Sequence, residues 1–426
     1  QESKSDEFIM GNIFSMRLLL IILVTFLAGI SAQFVPAYSP EVKQGIWITG
    51  ISMALTIVAG TLSAILQARM KIQYFTSGLV LGKIVLAALV FGIGIKAHLF
   101  GENLLYAFLW AGVISNVIFS ALVIFYARRE IPIRLHFNLE WWKKIFKISL
   151  PYGLALILQT LYLRIDVIII SILLGEEPVG IYGVATRVME SFLILGTFFG
   201  QAILPKISAE EEETEKASKT LFWGIEKLLI FSLPIILGTL YFAPTVVHIL
   251  SSEEFLTRPG FFGSDQALMM LVPTVFFAYL NQLFTFTLVS KDRQKYLLMV
   301  NGIAILTNVL LNIVFLETYG LIAAAISTII CEIIVFAFLL REIFRFFKPK
   351  LAPTNLGIIL LGNALLALEF WIIGLGKNQL SITSTLPTLG KYLTPETNHF
   401  IISAVVGSLT YLGILWRFRR RLAIIQ

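Results

Sequence analysis

Stretches of about 20 mostly apolar residues recur twelve times along this chain, at 16–37, 45–66, 75–97, 104–127, 148–173, 178–204, 222–246, 266–289, 296–316, 319–340, 355–375 and 399–416. A helix rises about 1.5 Å per residue, so about 20 residues cross a hydrocarbon core about 30 Å thick. Hydrocarbon offers no partner to a backbone amide, which leaves helices or closed barrels as the spanning structures. These runs are about twice the length of a barrel strand and do not alternate, so they are expected to be helices. Composition agrees: 57% of the residues are apolar and 14% charged, against about 25% charged in an ordinary soluble domain. Mean hydropathy is +0.86. This excludes cytosolic enzymes, disordered tails and nucleic-acid modules. The expected class is all-α, a polytopic membrane bundle of about twelve transmembrane helices.

Cys331 is the one cysteine, which rules out a disulfide scaffold and a multi-cysteine metal site. The histidines His98, His136, His248 and His399 are scattered, so neither a metal nor a cofactor is expected. No nucleophile–base pair or phosphate-cradling glycine loop stands out, and no catalytic residue is assigned.

The net charge of +7 invites a nucleic-acid partner until the cations are placed. With a cytoplasmic N-terminus and alternating spans, 23 of the 33 Lys and Arg residues fall on the cytoplasmic side and 5 on the other. The remaining 5 lie within spans: Arg17, Lys83, Arg164, Arg187 and Lys227. Such a bias is the positive-inside pattern. It supports the span count, puts the C-terminus in the cytoplasm and needs no nucleic acid.

The longest basic loop, 128–147, carries Trp141-Trp142-Lys143-Lys144-Ile145-Phe146-Lys147. Aromatic rings beside cations suit an interfacial anchor, with a lipid-binding role as the alternative. The acidic run Glu210 to Glu213 reads as a solvated loop. Pro234 and Pro273 fall inside spans, where each removes a backbone hydrogen bond and kinks the helix.

Ionisable groups inside a bilayer are expensive and point to function by default. Arg17 and Lys227 lie near the cytoplasmic face and are expected to snorkel. Lys83 lies roughly 12 Å in and either snorkels or faces a cavity. Spans 148–173 and 178–204 form a helical hairpin turning at Gly175-Glu176-Glu177-Pro178. Asp166 precedes Glu176 by ten residues and Arg187 follows it by eleven. Both then sit roughly 15 Å deep, near the midplane. Arg164 and Glu190 lie slightly deeper at a common level. These four either lock the hairpin or line a polar cavity, with Arg holding an anion and Asp166 or Glu190 serving as counter-charge or proton carrier. Asn301, Asn308 and Asn312 share a helical stripe and, with Asn281-Gln282, suit helix-to-helix glue. Gly320, Ala323, Ala324 and Ser327 form a small-residue seam. Glu332 is a further inward-facing candidate for ion coupling.

Three stretches carry a resemblance. The first is Leu150-Pro151-Tyr152-Gly153 followed by Tyr162-Leu163-Arg164-Ile165-Asp166 and Gly180-Ile181-Tyr182-Gly183-Val184-Ala185-Thr186-Arg187-Val188-Met189-Glu190. The second is Asn308-Val309-Leu310-Leu311-Asn312 with Tyr319-Gly320-Leu321, and the third runs from Ala243-Pro244 to Glu254-Phe255. In order and spacing they resemble the polysaccharide flippases, the O-antigen and teichoic-acid exporters of the MATE-like superfamily. That family opens with two helices before a loop resembling Glu2 to Asn12, so the chain is expected to lack two helices of a fourteen-helix protein.

The resemblance implies two lobes around a central cavity that rock between inward- and outward-open states. The expected division is 1–133 as an incomplete N-terminal lobe, 134–350 as a C-terminal lobe and 351–426 as two additional helices. The implied cargo is an undecaprenyl-pyrophosphate-linked oligosaccharide crossing a bacterial inner membrane. Membrane lipids and pathway glycosyltransferases or a polymerase are the implied partners. Arg164, Arg187 and Lys83 would offset the pyrophosphate charge. Asp166, Glu190 and Glu332 would be available for ion coupling. The rival readings are a drug/cation antiporter of the same superfamily, a membrane-embedded glycan polymerase or ligase, and an inactive truncated relative.

Overall fold

The computed structural model describes residues 6–209, 214–347, 353–375 and 395–418. Lys4, Glu210 to Glu213, Lys348, Lys350, residues 376–394 with Lys377 and Lys391, and Arg419 to Arg421 lie outside the described residues. Contacts divide the chain into two compact units, 1–154 and 155–426. The first holds α1 (Asp6–Gln33), α2 (Pro40–Ala68), α3 (Ile72–Ile95), α4 (Leu104–Glu130) and the start of α5 (Leu139–Leu173). The second holds the rest of α5 with α6 (Glu176–Ala209), α7 (Thr214–Leu250), α8 (Ser264–Leu271), α9 (Thr274–Ser290), α10 (Gln294–Tyr319), α11 (Leu321–Phe346), α12 (Pro353–Leu375) and α13 (Pro395–Arg417). Nine described helices are long and apolar enough to cross a membrane, and a tenth is reached when α8 and α9, bent by 46° at their junction, are counted as one span. The two further expected spans, 148–173 and 399–416, fall on α5 and α13.

Apolar side chains such as Ile22, Val24 and Phe26 are exposed, whereas Asn12, Ser115, Asp166, Asn308 and Asn312 are buried. This pattern fits a solvent of lipid, where polar groups glue helices together. In the first unit α4 packs on α2 and α3. Ser120 Oγ donates to Leu55 O at 2.8 Å and Ser115 Oγ to Gly82 O at 2.8 Å. The buried Asn12 fixes the connector into α5. Its Oδ1 accepts from Asn138 N at 2.9 Å and from Trp142 Nε1 at 3.1 Å. Asn138 Oδ1 in turn accepts from Trp141 N at 2.9 Å, closing the first turn of α5. Trp142 of the expected anchor is therefore tied to α1, while Phe146 and Ile148 are exposed.

In the second unit α6 packs on α9 and α8, α11 packs on α10 and α9, and α12 packs on α7 and α13. The two span prolines act differently. Pro273 separates α8 from α9 at the 46° bend. Thr274 Oγ1 donates to Leu271 O there, at 2.6 Å. Pro234 sits within the continuous α7 and has no N–H for Ile230 O. The Tyr411 hydroxyl, on α13, donates to that carbonyl at 3.0 Å. The amide stripe is internal glue as well. Asn312 Nδ2 donates to Asn308 Oδ1 and to Ser327 Oγ, each at 2.9 Å, joining α10 to the small-residue face of α11.

Candidate functional site

The α5–α6 turn is only two residues long, and Gly175 takes a φ of +87° there. A side chain is strained at such a φ. This tight turn sets the register between the facing helices. Tyr182, fully buried, donates its hydroxyl to Asp166 Oδ2 at 2.9 Å. Asp166 is 8% exposed, and its Oδ1 accepts from Val167 N at 2.8 Å. Deeper in the hairpin, Arg164 Nη1 meets Glu190 Oε1 at 2.7 Å, with side chains 53% and 46% exposed.

These groups line one cavity of about 360 Å³ within the second unit. Thr328, Cys331 and Glu332 join from α11, Asn308 from α10 and Gln282 from α9. Glu332 Oε2 accepts from Asn281 Nδ2 at 2.7 Å. The Tyr182 hydroxyl also lies 3.4 Å from Thr328 Oγ1, linking the hairpin to α11. Arg164 is the one cation among the described lining residues, facing Asp166, Glu190 and Glu332.

Four expected site residues, Arg164, Asp166, Glu190 and Glu332, thus share a cavity. Arg187 does not line it and is exposed. Its depth matches Asp166, but it falls about 140° around α6 from Tyr182 at 3.6 residues per turn. Tyr182, not Arg187, is the partner Asp166 takes. Among the described residues neither Arg187 nor Lys83 forms an ion pair. Lys83 belongs to α3 of the first unit and is exposed. Sequence reasoning missed Tyr182, although it stands within the quoted motif, seven residues past Gly175.

One expectation about snorkelling needs correction. Lys227 is 6% exposed, with Nζ 5.3 Å from the Trp223 ring centroid, because α7 is packed by α12 at this level. Arg17 is exposed, donates to Thr61 Oγ1 at 3.2 Å and lines a 740 Å³ apolar groove between α1 and α2. Among the described residues no group of three or more His, Cys, Asp or Glu could hold a metal ion.

A profile of the family described as "Polysaccharide biosynthesis protein" matches residues 1–258. An uncharacterized membrane protein of Methanocaldococcus jannaschii, MJ1375, is 25% identical over 67% of this chain and 69% of its own length. A "Probable flippase AglR" of Haloferax volcanii is 23% identical over 77% of this chain and 66% of its own. The chain thus spans about two thirds of the length of these two relatives. Among solved structures, the lipid II flippase MurJ in an inward closed conformation superposes with a TM-score of 0.75 at 17% identity. It covers 99% of this chain and 86% of the MurJ chain. At that identity the likeness concerns the fold.

Proposed function

The chain belongs to the polysaccharide biosynthesis protein family, and from that premise we propose that it is a flippase for a lipid-linked oligosaccharide of the undecaprenyl-pyrophosphate type. It is a multi-pass membrane protein, and the proposed home is a bacterial inner membrane with the C-terminus in the cytoplasm. The work is transport rather than bond-making. A diphosphate cannot cross hydrocarbon bare, because desolvating the ion is prohibitive. The observation that carries the reading is the cavity among the helices of the second unit with a half-exposed arginine at its wall. A guanidinium fork matches phosphate oxygens in pairs. Arg164 then receives the headgroup while the tail stays in lipid, and the cavity opens alternately to the two membrane faces. Arg187 and Lys83 are the further cations proposed for headgroup binding, each exposed on its own unit and neither lining this cavity. An inside-negative potential assists outward movement of an anion by about 2.3 kcal/mol per charge per 100 mV. Asp166 and Glu332, with Glu190, are the proposed groups for coupling to an ion. Pathway glycosyltransferases or a polymerase are the proposed protein partners.

One observation favours a second reading. Three acids face a single cation in the cavity, which would suit a drug/cation antiporter. The test is flipping of the glycolipid in vesicles by wild type, Arg164→Ala, Arg187→Ala and Asp166→Asn, with uptake of a lipophilic cationic dye measured beside it. The proposal expects Arg164→Ala to abolish flipping at normal membrane abundance. Full flipping by Arg164→Ala and Asp166→Asn, or dye export without flipping, rejects it.

A further inference from the structure

Each acid in the cavity has a different hold. Asp166 is fixed by Tyr182 and a backbone amide, and Glu332 by Asn281. Glu190 is held by Arg164. The cation assigned to the headgroup is therefore already engaged at 2.7 Å by a carboxylate on the next helix. An arriving anion has to take Arg164 from Glu190.

Coulomb's law shows what that exchange does. Breaking the pair has a fixed cost. The attraction that replaces it grows with ligand charge, offset by repulsion from the released carboxylate. A monoanion of phosphate size roughly breaks even, since it offers what Glu190 already offered. Each further charge adds attraction, and a diphosphate also presents paired oxygens to the guanidinium fork. The tethered carboxylate remains at high effective concentration, ready to return. A conduit needs a site strong enough to enter and weak enough to leave.

Resting on the flippase reading above, we infer that Glu190 is an internal counter-ion that competes with the substrate's anionic headgroup for Arg164. It keeps monoanionic phosphodiester lipids off the site and drives release of the diphosphate by re-pairing. The pair is half exposed, so its strength corresponds to a factor of up to about 5 in an equilibrium.

The experiment uses the full chain in phosphatidylcholine nanodiscs and vesicles. Undecaprenyl diphosphate is the binding probe, phosphatidylglycerol the competitor and an undecaprenyl-diphosphate-linked saccharide the flipping substrate. Glu190→Gln is expected to tighten probe binding about fivefold while lowering the maximal flipping rate. It should also strengthen competition by phosphatidylglycerol by a similar factor, up to about fivefold over wild type. Glu190→Asp, which keeps the carboxylate, should restore wild-type behaviour in all three readouts. Unchanged or weaker binding in Glu190→Gln, or insensitivity to phosphatidylglycerol, overturns the role given to Glu190. Arg164→Ala and Arg164→Lys form the second arm. Wild-type probe binding in both overturns the headgroup site itself, so the two failures are separable.

Discussion

Removing one oxygen from Tyr182 tests how the hairpin is held. The hydroxyl lies 2.9 Å from Asp166 Oδ2, between a fully buried ring and a carboxylate 8% exposed. In Tyr182→Phe that oxygen loses its side-chain donor, and Val167 N remains on Oδ1 alone. A hydrogen bond to a charged group contributes about 1.5–3 kcal/mol, and stranding the buried partner adds desolvation. The expected loss is about 2 kcal/mol. Asp166→Asn should cost less, since an amide oxygen still accepts from Tyr182. A double-mutant cycle of the two substitutions, read by denaturant unfolding in mixed micelles, isolates the pair. We expect a coupling of about 1 kcal/mol or more. A coupling near zero would refute the claim that Tyr182 holds Asp166 in place. So would a Tyr182→Phe protein as stable as wild type.

Other parts of the second unit give independent expectations. Tyr411→Phe should destabilise by about 1 kcal/mol by stranding the carbonyl that Pro234 leaves open. Pro234→Ala restores a backbone donor to Ile230 O and should make Tyr411→Phe nearly silent in thermal unfolding. Gly196→Ala should cost about 1–3 kcal/mol by overpacking, because a Cβ there would stand 2.7 Å from the Tyr279 ring. Its signature is loss of the α6–α9 contact, read as faster hydrogen exchange in both helices. Asn312→Leu should destabilise by about 1–3 kcal/mol, since it deprives the buried Ser327 and Asn308 oxygens of a donor. Thermal denaturation of the purified protein checks that.

Much of the fold could be read from hydropathy because lipid imposes so few options. The span prolines show the limit: the kink expected at Pro273 is there as a 46° bend, whereas Pro234, read the same way, sits within a continuous α7. The site was half legible for a related reason. Counting residues from a tight turn gives depth, which is why Arg164 and Glu190 meet. Counting says little about direction around the axis, so Arg187 was paired with Asp166 by level alone. Lys227 was placed near the membrane face by position, yet α12 covers that stretch of α7, a tertiary fact that no single span carries.

The same distinction explains the charge balance of the cavity. Summed as formal charges, one cation against three acids looks hostile to a phosphate-bearing cargo. Taken contact by contact, two of those acids are occupied by neutral donors that belong to the scaffold. They hold α5 to α6 and α9 to α11. The third acid is opposed to the cation itself and is half exposed. A transported anion must be bound on one side and released on the other without a bond being made or broken. A site of unopposed arginines would satisfy the first requirement and defeat the second. Under the proposal above, one arginine shared between the cargo and a tethered carboxylate satisfies both, and of the three acids only Glu190 is needed for it.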